Sequence, residues 1–170
     1  MFHPAIWHDA AVGYPLPDPP LTDGVVRLRV WQPDDAPSLA AAWADDEIRK
    51  WTAVPQVATV EHAARWIAGA ELRRENGLAL DLVVAPADDA DPAVLGEVGI
   101  VTMAGGPSRA EAGWWVAPAH RRHGIATRAV QLLAKWCAEA LDLELFAEVD
   151  ADNPASIWVA EAAGLRLRLR

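Results

Sequence analysis

A chain of 170 residues has room for one domain with a sizeable core and is crowded for two. Its formal net charge of −9 argues against nonspecific attachment to nucleic acid or an anionic membrane surface, and an acidic surface suits cationic partners such as amines. Hydrophobic residues make up 52 %, yet runs such as 41–44 and 98–104 are far too short to span a membrane. Cys137 is the single cysteine, which excludes an intrachain disulfide. The first eight residues lack the basic-then-apolar order of a secretory signal, so a cytoplasmic location is expected.

Residues 1–23 are rich in proline, aspartate and glycine and predict an extended arm, with the domain proper occupying 24–170. Alternation over 25–31 predicts a first strand. Pro33-Asp34-Asp35 opens a helix through Trp43, and a shorter helical piece covers 46–51. Thr59 is placed to cap a longer helix, with Trp66, Ile67, Ala70 and Leu72 as its apolar positions. Strands follow at 80–85, 94–103 and 110–116, the last two joined by a turn at 104–108. Apolar residues at helical spacing mark 127–141, and 143–149 forms a strand. A helix over 154–163 stops at Gly164, before a final strand at 165–170. This order predicts an α/β (α+β) domain on a mixed, mostly antiparallel sheet flanked by helices.

The chemistry concentrates in one segment, where a strand ending Trp114-Trp115-Val116 leads through a short basic loop into a strong helix. The first turn of a helix presents unpaired amides, and its dipole favours negative charge, so it can hold a pyrophosphate. Gly124 permits unusual backbone angles and Ala126 allows close approach, while Arg121, Arg122 and His123 add positive charge. A Walker-type loop or a dinucleotide-binding glycine fingerprint would need glycines and a lysine that are missing here. His120 and His123 have no cysteine or carboxylate set to complete a metal site, so no metal is expected.

Arg121-Arg122-His123-Gly124-Ile125-Ala126 resembles the (Gln/Arg)-x-x-Gly-x-(Gly/Ala) signature of the GNAT (GCN5-related N-acetyltransferase) superfamily. Three further pieces are similar to its RimJ/RimL-like branch: Arg27-Leu28-Arg29-Val30-Trp31 with Pro33-Asp34-Asp35-Ala36, Gly113-Trp114-Trp115-Val116-Ala117-Pro118, and Asn153-Pro154-Ala155-Ser156 followed by Ala160-Glu161-Ala162-Ala163-Gly164-Leu165. The resemblance covers roughly 24–169 and implies direct transfer of an acyl group from acetyl-CoA, or another short acyl-CoA, to a primary amine.

It also implies residue roles. Arg121, Arg122, His123, Gly124, Ile125, Ala126 and Thr127 would bind the cofactor phosphates. The backbone of Trp115 and Val116 would meet the pantetheine arm, with the Val116 amide donating to the thioester carbonyl. Asn153 would hydrogen-bond the pantetheine, and Ser156 would protonate the leaving thiolate, although capping alone also explains an Asn and a Ser at a helix start. Glu111 is the first choice of general base and Glu97, on the partner strand, the second. An α-amine, with a pKa of roughly 7.7–8.0, needs less help from such a base than a lysine near 10.4. Cys137 sits at an apolar phase and is expected to pack, not to react.

Relatives continue past the last strand into a further one. The expectation here is therefore an open sheet edge beside Leu165, Leu167 and Leu169, with buried leucines, mutually repelling arginines and a homo-oligomer as its outcome. Three alternatives stay open: transfer of a larger acyl group such as succinyl, a non-catalytic acyl-CoA sensor, and an interaction domain. The acceptor remains open among a protein N-terminus, a lysine and a small molecule.

Overall fold

A computed structural model describes residues 13–102 and 108–170, so most of the expected 104–108 turn and the first half of the arm lie outside the described residues. The chain forms β1 (Val26–Arg29), a 3-10 turn at Pro33–Asp35, α1 (Ala36–Trp43), α2 (Asp46–Trp51), α3 (Val60–Ala68) and α4 (Ala70–Glu75). It continues with β2 (Ala79–Pro86), β3 (Gly96–Thr102), β4 (Arg109–Val116), a second 3-10 turn at Pro118–His120, and α5 (Ile125–Leu141). The last elements are β5 (Glu144–Val149), α6 (Pro154–Ala162) and β6 (Arg166–Leu169). The six strands lie in one sheet in chain order. The first four pair antiparallel, whereas β5 joins β4 and β6 joins β5 in parallel, each through a crossover helix.

Strand alternation gives the sheet two faces. One carries Leu28, Leu82, Val98, Ile100 and Ala112 and packs on Val130, Leu133 and Cys137 of α5. On the other, Val83, Ala85 and Trp115 meet Leu39 and Trp43 of α1 and Ala63 and Ile67 of α3. That second face also carries the polar residues of the site, and the helices cover only part of it. Side-chain caps fix the helices that stand over it. Asp45 accepts from the Ile48 amide at 3.0 Å, and Thr59 accepts from the His62 amide at 3.2 Å.

Several expectations change. β1 is shorter than 25–31, because Val25 and Val30 are exposed and Trp31 turns into the α1–α3 cluster. The helix capped by Thr59 ends at Gly69 and resumes as α4. Leu72 then points to solvent, while Arg73 is the residue that reaches back to Asp81 of β2. Residues 13–23 hold no helix or strand and are tied to the domain by a few bonds. The Tyr14 amide donates to Arg74, the Leu28 amide donates to Leu21, and Thr22 bridges Arg27.

β6 is an edge strand, but its leucines are not its anchor: Leu165 and Leu167 are half-buried and Leu169 is exposed. Nor do its arginines simply repel one another. Arg166 pairs with Glu144 at 2.6 Å, and Arg168 and Arg170 approach Glu148 at 3.6 and 3.8 Å.

Candidate active site

The site begins where two strands part. β4 stays in register with β3 as far as Val116, yet it matches β5 only at Arg109, Ala110 and Glu111. Beyond Glu111 no strand among the described residues lies beside the outer edge of β4. Peptide groups of alternate residues point to the same edge of a strand. The Ser108 carbonyl accepts from β5 (Glu144), and the Ala117 amide donates to Leu95 next to β3. By that parity the amides of Trp114 and Val116 open into the gap, whereas the Trp115 peptide faces β3. The backbone donor that faces the gap is thus that of Trp114 and not that of Trp115, which the sequence pointed to. Trp115 contributes a buried indole instead, directly opposite Glu97.

The gap leads to the basic loop. Arg122 and Gly124 have φ of 67° and 73°, so the loop folds back through left-handed backbone just before α5. Glycine suits that region, and arginine does so only at a cost. The buried Ile125 side chain pins the helix start to the core. No side chain caps α5, and backbone bonding resumes only where the Arg128 amide donates to Gly124. The amides of Arg122, His123, Gly124, Ile125, Ala126 and Thr127 thus donate to no backbone carbonyl. The Thr127 hydroxyl is buried beside them with no hydrogen-bond partner among the described residues. Unspent donors at a 17-residue helix N-terminus fit an anionic phosphate group.

Arg121 behaves differently from its neighbours. Its Nε donates to the Val116 carbonyl at 3.2 Å, and its Nη2 is bound to the Asp45 carboxylate. Partial burial pushes the Asp45 carboxyl up, but the Arg121 partner and the Ile48 amide outweigh this and hold it below the usual carboxylate range. Arg122 and His123 remain exposed at the loop.

Two cavities flank the gap on the polar face. The larger, of about 550 Å³, is walled by Trp43, Trp66 and Trp115, with Asp81 and Glu97 among its polar groups. The smaller, of about 280 Å³, holds Glu111, Glu148, Asn153, Ser156 and Arg170. Gly113 and Trp114 line both, so the parted edge of β4 separates them. Gly113 stands opposite Gly99 in register, and a Cβ on Gly113 would meet open space. Gly113 thus leaves a hole in the side-chain layer between Glu97 and Glu111, whereas a Cβ on Gly99 would come within 2.7 Å of the Leu80 carbonyl oxygen.

Burial pushes the Glu97 carboxyl up to about 8 from 4.5, with the Asp81 charge acting in the same direction. The Trp115 side chain and Arg73 oppose this. Glu111 is also raised, first by partial burial and then by Glu148, against Arg170. Asp81 is raised by burial even though Arg73 donates to it at 3.1 and 3.0 Å.

Asn153 does cap α6, its side-chain oxygen accepting from the Ser156 amide at 3.1 Å, but it is also buried at the smaller cavity. The Ser156 hydroxyl bonds to no protein group among the described residues. Cys137 is fully buried away from both cavities, and burial lifts its thiol to about 12, as a packing residue requires. Sequence reasoning missed Asp81, Glu148 and the paired glycines. Glycines inside two adjacent strands were the available signal, because they weaken a strand unless something approaches closely. Among the described residues no cluster of His, Cys, Asp or Glu could hold a metal ion.

The sequence matches the acetyltransferase (GNAT) domain family over residues 26–166. The chain belongs to that family. As a member it is an acyl-CoA N-acyltransferase by class. Its fold is shared by RimJ of Mycobacterium smegmatis, solved with CoA-disulfide, at 25 % identity and a TM-score of 0.71, covering 84 % of this chain and 71 % of that one. It is also shared by RimL, a ribosomal L7/L12 α-N-protein acetyltransferase solved with coenzyme A, at 20 % identity and 0.72, covering 85 % and 81 %. A third neighbour is the microcin C7 self-immunity acetyltransferase MccE, solved with acetyl-CoA and AMP, at 19 % and 0.71, covering 85 % and 83 %. No curated protein sequence matches this chain.

Proposed function

We propose that the enzyme transfers an acetyl group from acetyl-CoA directly to a primary amine, with the pyrophosphate on the amides of residues 122–127 and the pantetheine arm along the open edge of β4. The carrying observation is the continuity of free donors. The unpaired helix amides lead into the Trp114 and Val116 amides, which lie between two cavities.

The thioester supplies an activated carbonyl and a good leaving sulfur. The Trp114 and Val116 amides donate to that carbonyl oxygen, where charge develops. Glu111 takes the proton from the attacking amine, directly or through one water, and its raised pKa brings it closer to the working pH. Asn153 holds the pantetheine amide, and the unengaged Ser156 hydroxyl gives its proton to the departing sulfur. Arg121 steadies the loop through Asp45 and Val116, while Arg122 and His123 meet the phosphates. Glutamates 111 and 148 outnumber Arg170 in the smaller cavity, which favours acetyl over an acyl group carrying a carboxylate.

A cytoplasmic enzyme that dimerises through its open edge completes the proposal; no helix among the described residues is long and apolar enough to cross a membrane. Release of free thiol from acetyl-CoA in the presence of primary amines tests the chemistry. Absence of both thiol release and a thermal shift with CoA would overturn it.

A further inference from the structure

The acceptor side of this reaction is written in the larger cavity. Its wall is aromatic and apolar: Trp43, Trp66 and Trp115, with Val54, Pro55 and Val101. Trp66 stands edge-on to Trp43, with centroids 6.0 Å apart, and Arg73 covers a Trp66 ring at 4.1 Å, so the indoles are held in place. The polar lining is one-sided. Asp81 and Glu97 are acidic, and among the described residues no cation lines this cavity. The nearest, Arg73, is spent on Asp81 and on the Trp66 carbonyl. Glu97 bears no such bond to a cation.

The floor fixes where a nitrogen can sit. Gly99 faces Gly113 across β3 and β4, Glu97 lies two residues along β3 from Gly99, and Glu111 lies two residues along β4 from Gly113. At roughly 3.3 Å per residue, each carboxylate-bearing residue is about 7 Å along the strand from the glycine gap. A group resting there is within side-chain reach of both glutamates and beside the Trp114 peptide.

We propose that the acceptor is a primary amine carried on an aromatic arm and lacking a carboxylate, with its ring among Trp43, Trp66 and Trp115 and its nitrogen over Gly99 and Gly113 beside Glu97. The inference rests on the acyltransferase reading above. The volume of the cavity suits one compact ligand of this kind. Among the described residues no free cation meets the carboxylate of an amino acid, and leaving that charge unpaired against two acids costs affinity. An indole wall and a carboxylate together favour an organic ammonium.

Cation binding also has a proton consequence. The groups facing Glu97 are Asp81 from β2, Trp115 from β4 and, through Asp81, Arg73 from α4. None of them balances a Glu97 carboxylate fully in the empty cavity, so near neutrality the group is largely protonated. When an ammonium docks beside it, the carboxyl loses its proton to solvent and an ammonium–carboxylate pair forms, with charge conserved.

Calorimetry on the whole protein, with and without CoA, tests this using phenethylamine, phenylalanine, butylamine and a peptide with a free N-terminus. Phenethylamine should bind about ten-fold or more tighter than either phenylalanine or butylamine. Its apparent enthalpy should change with the ionisation enthalpy of the buffer, showing proton release. Glu97→Gln should weaken binding by a similar factor and abolish that release. Trp66→Phe, which keeps an aromatic wall, should weaken it less than Trp66→Ala. Equal binding of phenylalanine, or preferential turnover of the peptide, would overturn the inference while leaving acyl transfer standing. Failure of acetyl-CoA to bind would instead overturn the acyltransferase reading, and the amine titration without CoA would still decide the cavity's ligand.

Discussion

Arg121 of the loop before α5 is bonded to Asp45, the residue that caps α2. One carboxylate therefore organises both the helix start and the loop that leads out of β4. Asp45→Ala removes the cap and the ion pair together and should cost about 1–2 kcal/mol, whereas Asp45→Asn keeps an oxygen for the Ile48 amide and should cost less. Urea denaturation of the two variants measures the difference. Equal losses would mean that the cap contributes little and that the loss comes from the pair with Arg121.

Gly124 occupies left-handed backbone at φ 73°, and nothing lies within 4 Å of where its Cβ would be. Gly124→Ala should thus cost about 1 kcal/mol through backbone conformation and not through a clash. Gly124→Trp should abolish CoA binding by filling the space of the pyrophosphate. Calorimetry with CoA checks this, with circular dichroism confirming the fold.

Glu97 carries a pH signature whose sign is fixed. Its folded-state pKa of about 8 lies above 4.5, so the folded protein keeps a proton that the unfolded chain gives up between those values. The stability it contributes is full below pH 4.5 and is lost as the pH rises through about 8. Thermal melts of Glu97→Gln across that range should show a flatter decline than the parent chain. A parallel decline would place the titrating group elsewhere.

Glu111 answers to kinetics. Glu111→Gln should lower kcat more than it changes acetyl-CoA affinity, and the loss should shrink as the pH approaches the acceptor's own pKa. An unaltered pH–rate profile, set beside a flattened one in Glu97→Gln, would transfer the base role to Glu97.

Cys137 should stay silent towards a thiol reagent in the folded state, because its thiol is fully buried and raised to about 12. Labelling should appear only with unfolding, in step with the urea transition. Rapid labelling of native protein would show that α5 opens locally.

Among the described residues no strand lies beside the outer edge of β6, along which Leu169 is exposed. A dimer formed at this edge should appear by sedimentation at micromolar concentration and should weaken in Leu169→Lys. A monomer whose β6 amides are protected from exchange would refute it.

The loop and helix start were legible because their chemistry is local. A glycine, three basic residues and a strong helical period all fall within a few residues of one another, and α2, Asp46–Trp51, appears as the spacing predicts. The register was not legible in the same way. Which peptide edge Trp114 and Trp115 present depends on hydrogen bonds made by Ser108 and Ala117 to other strands. The pairing of Gly99 with Gly113 likewise depends on a turn that local pattern cannot count to the residue. Leu72 failed for a related reason, since the bend at Gly69 resets the helical phase. Glu148 and Asp81 looked like ordinary solvent-facing positions of half-buried strands until the gap in β4 gave them something to face.

That gap has a thermodynamic consequence. β4 and β5 share only three register pairs, so the sheet is held together there by fewer backbone bonds than anywhere else between β2 and β5. A pantetheine arm bonded along Trp114 and Val116 would act as the absent stretch of strand. It would bind the native sheet and not the unfolded chain, and apparent stability would then rise as RT ln(1 + [L]/Kd). At a hundred-fold excess over Kd that is about 2.7 kcal/mol. The persistence of this enzyme in a cell would then follow the supply of its own co-substrate.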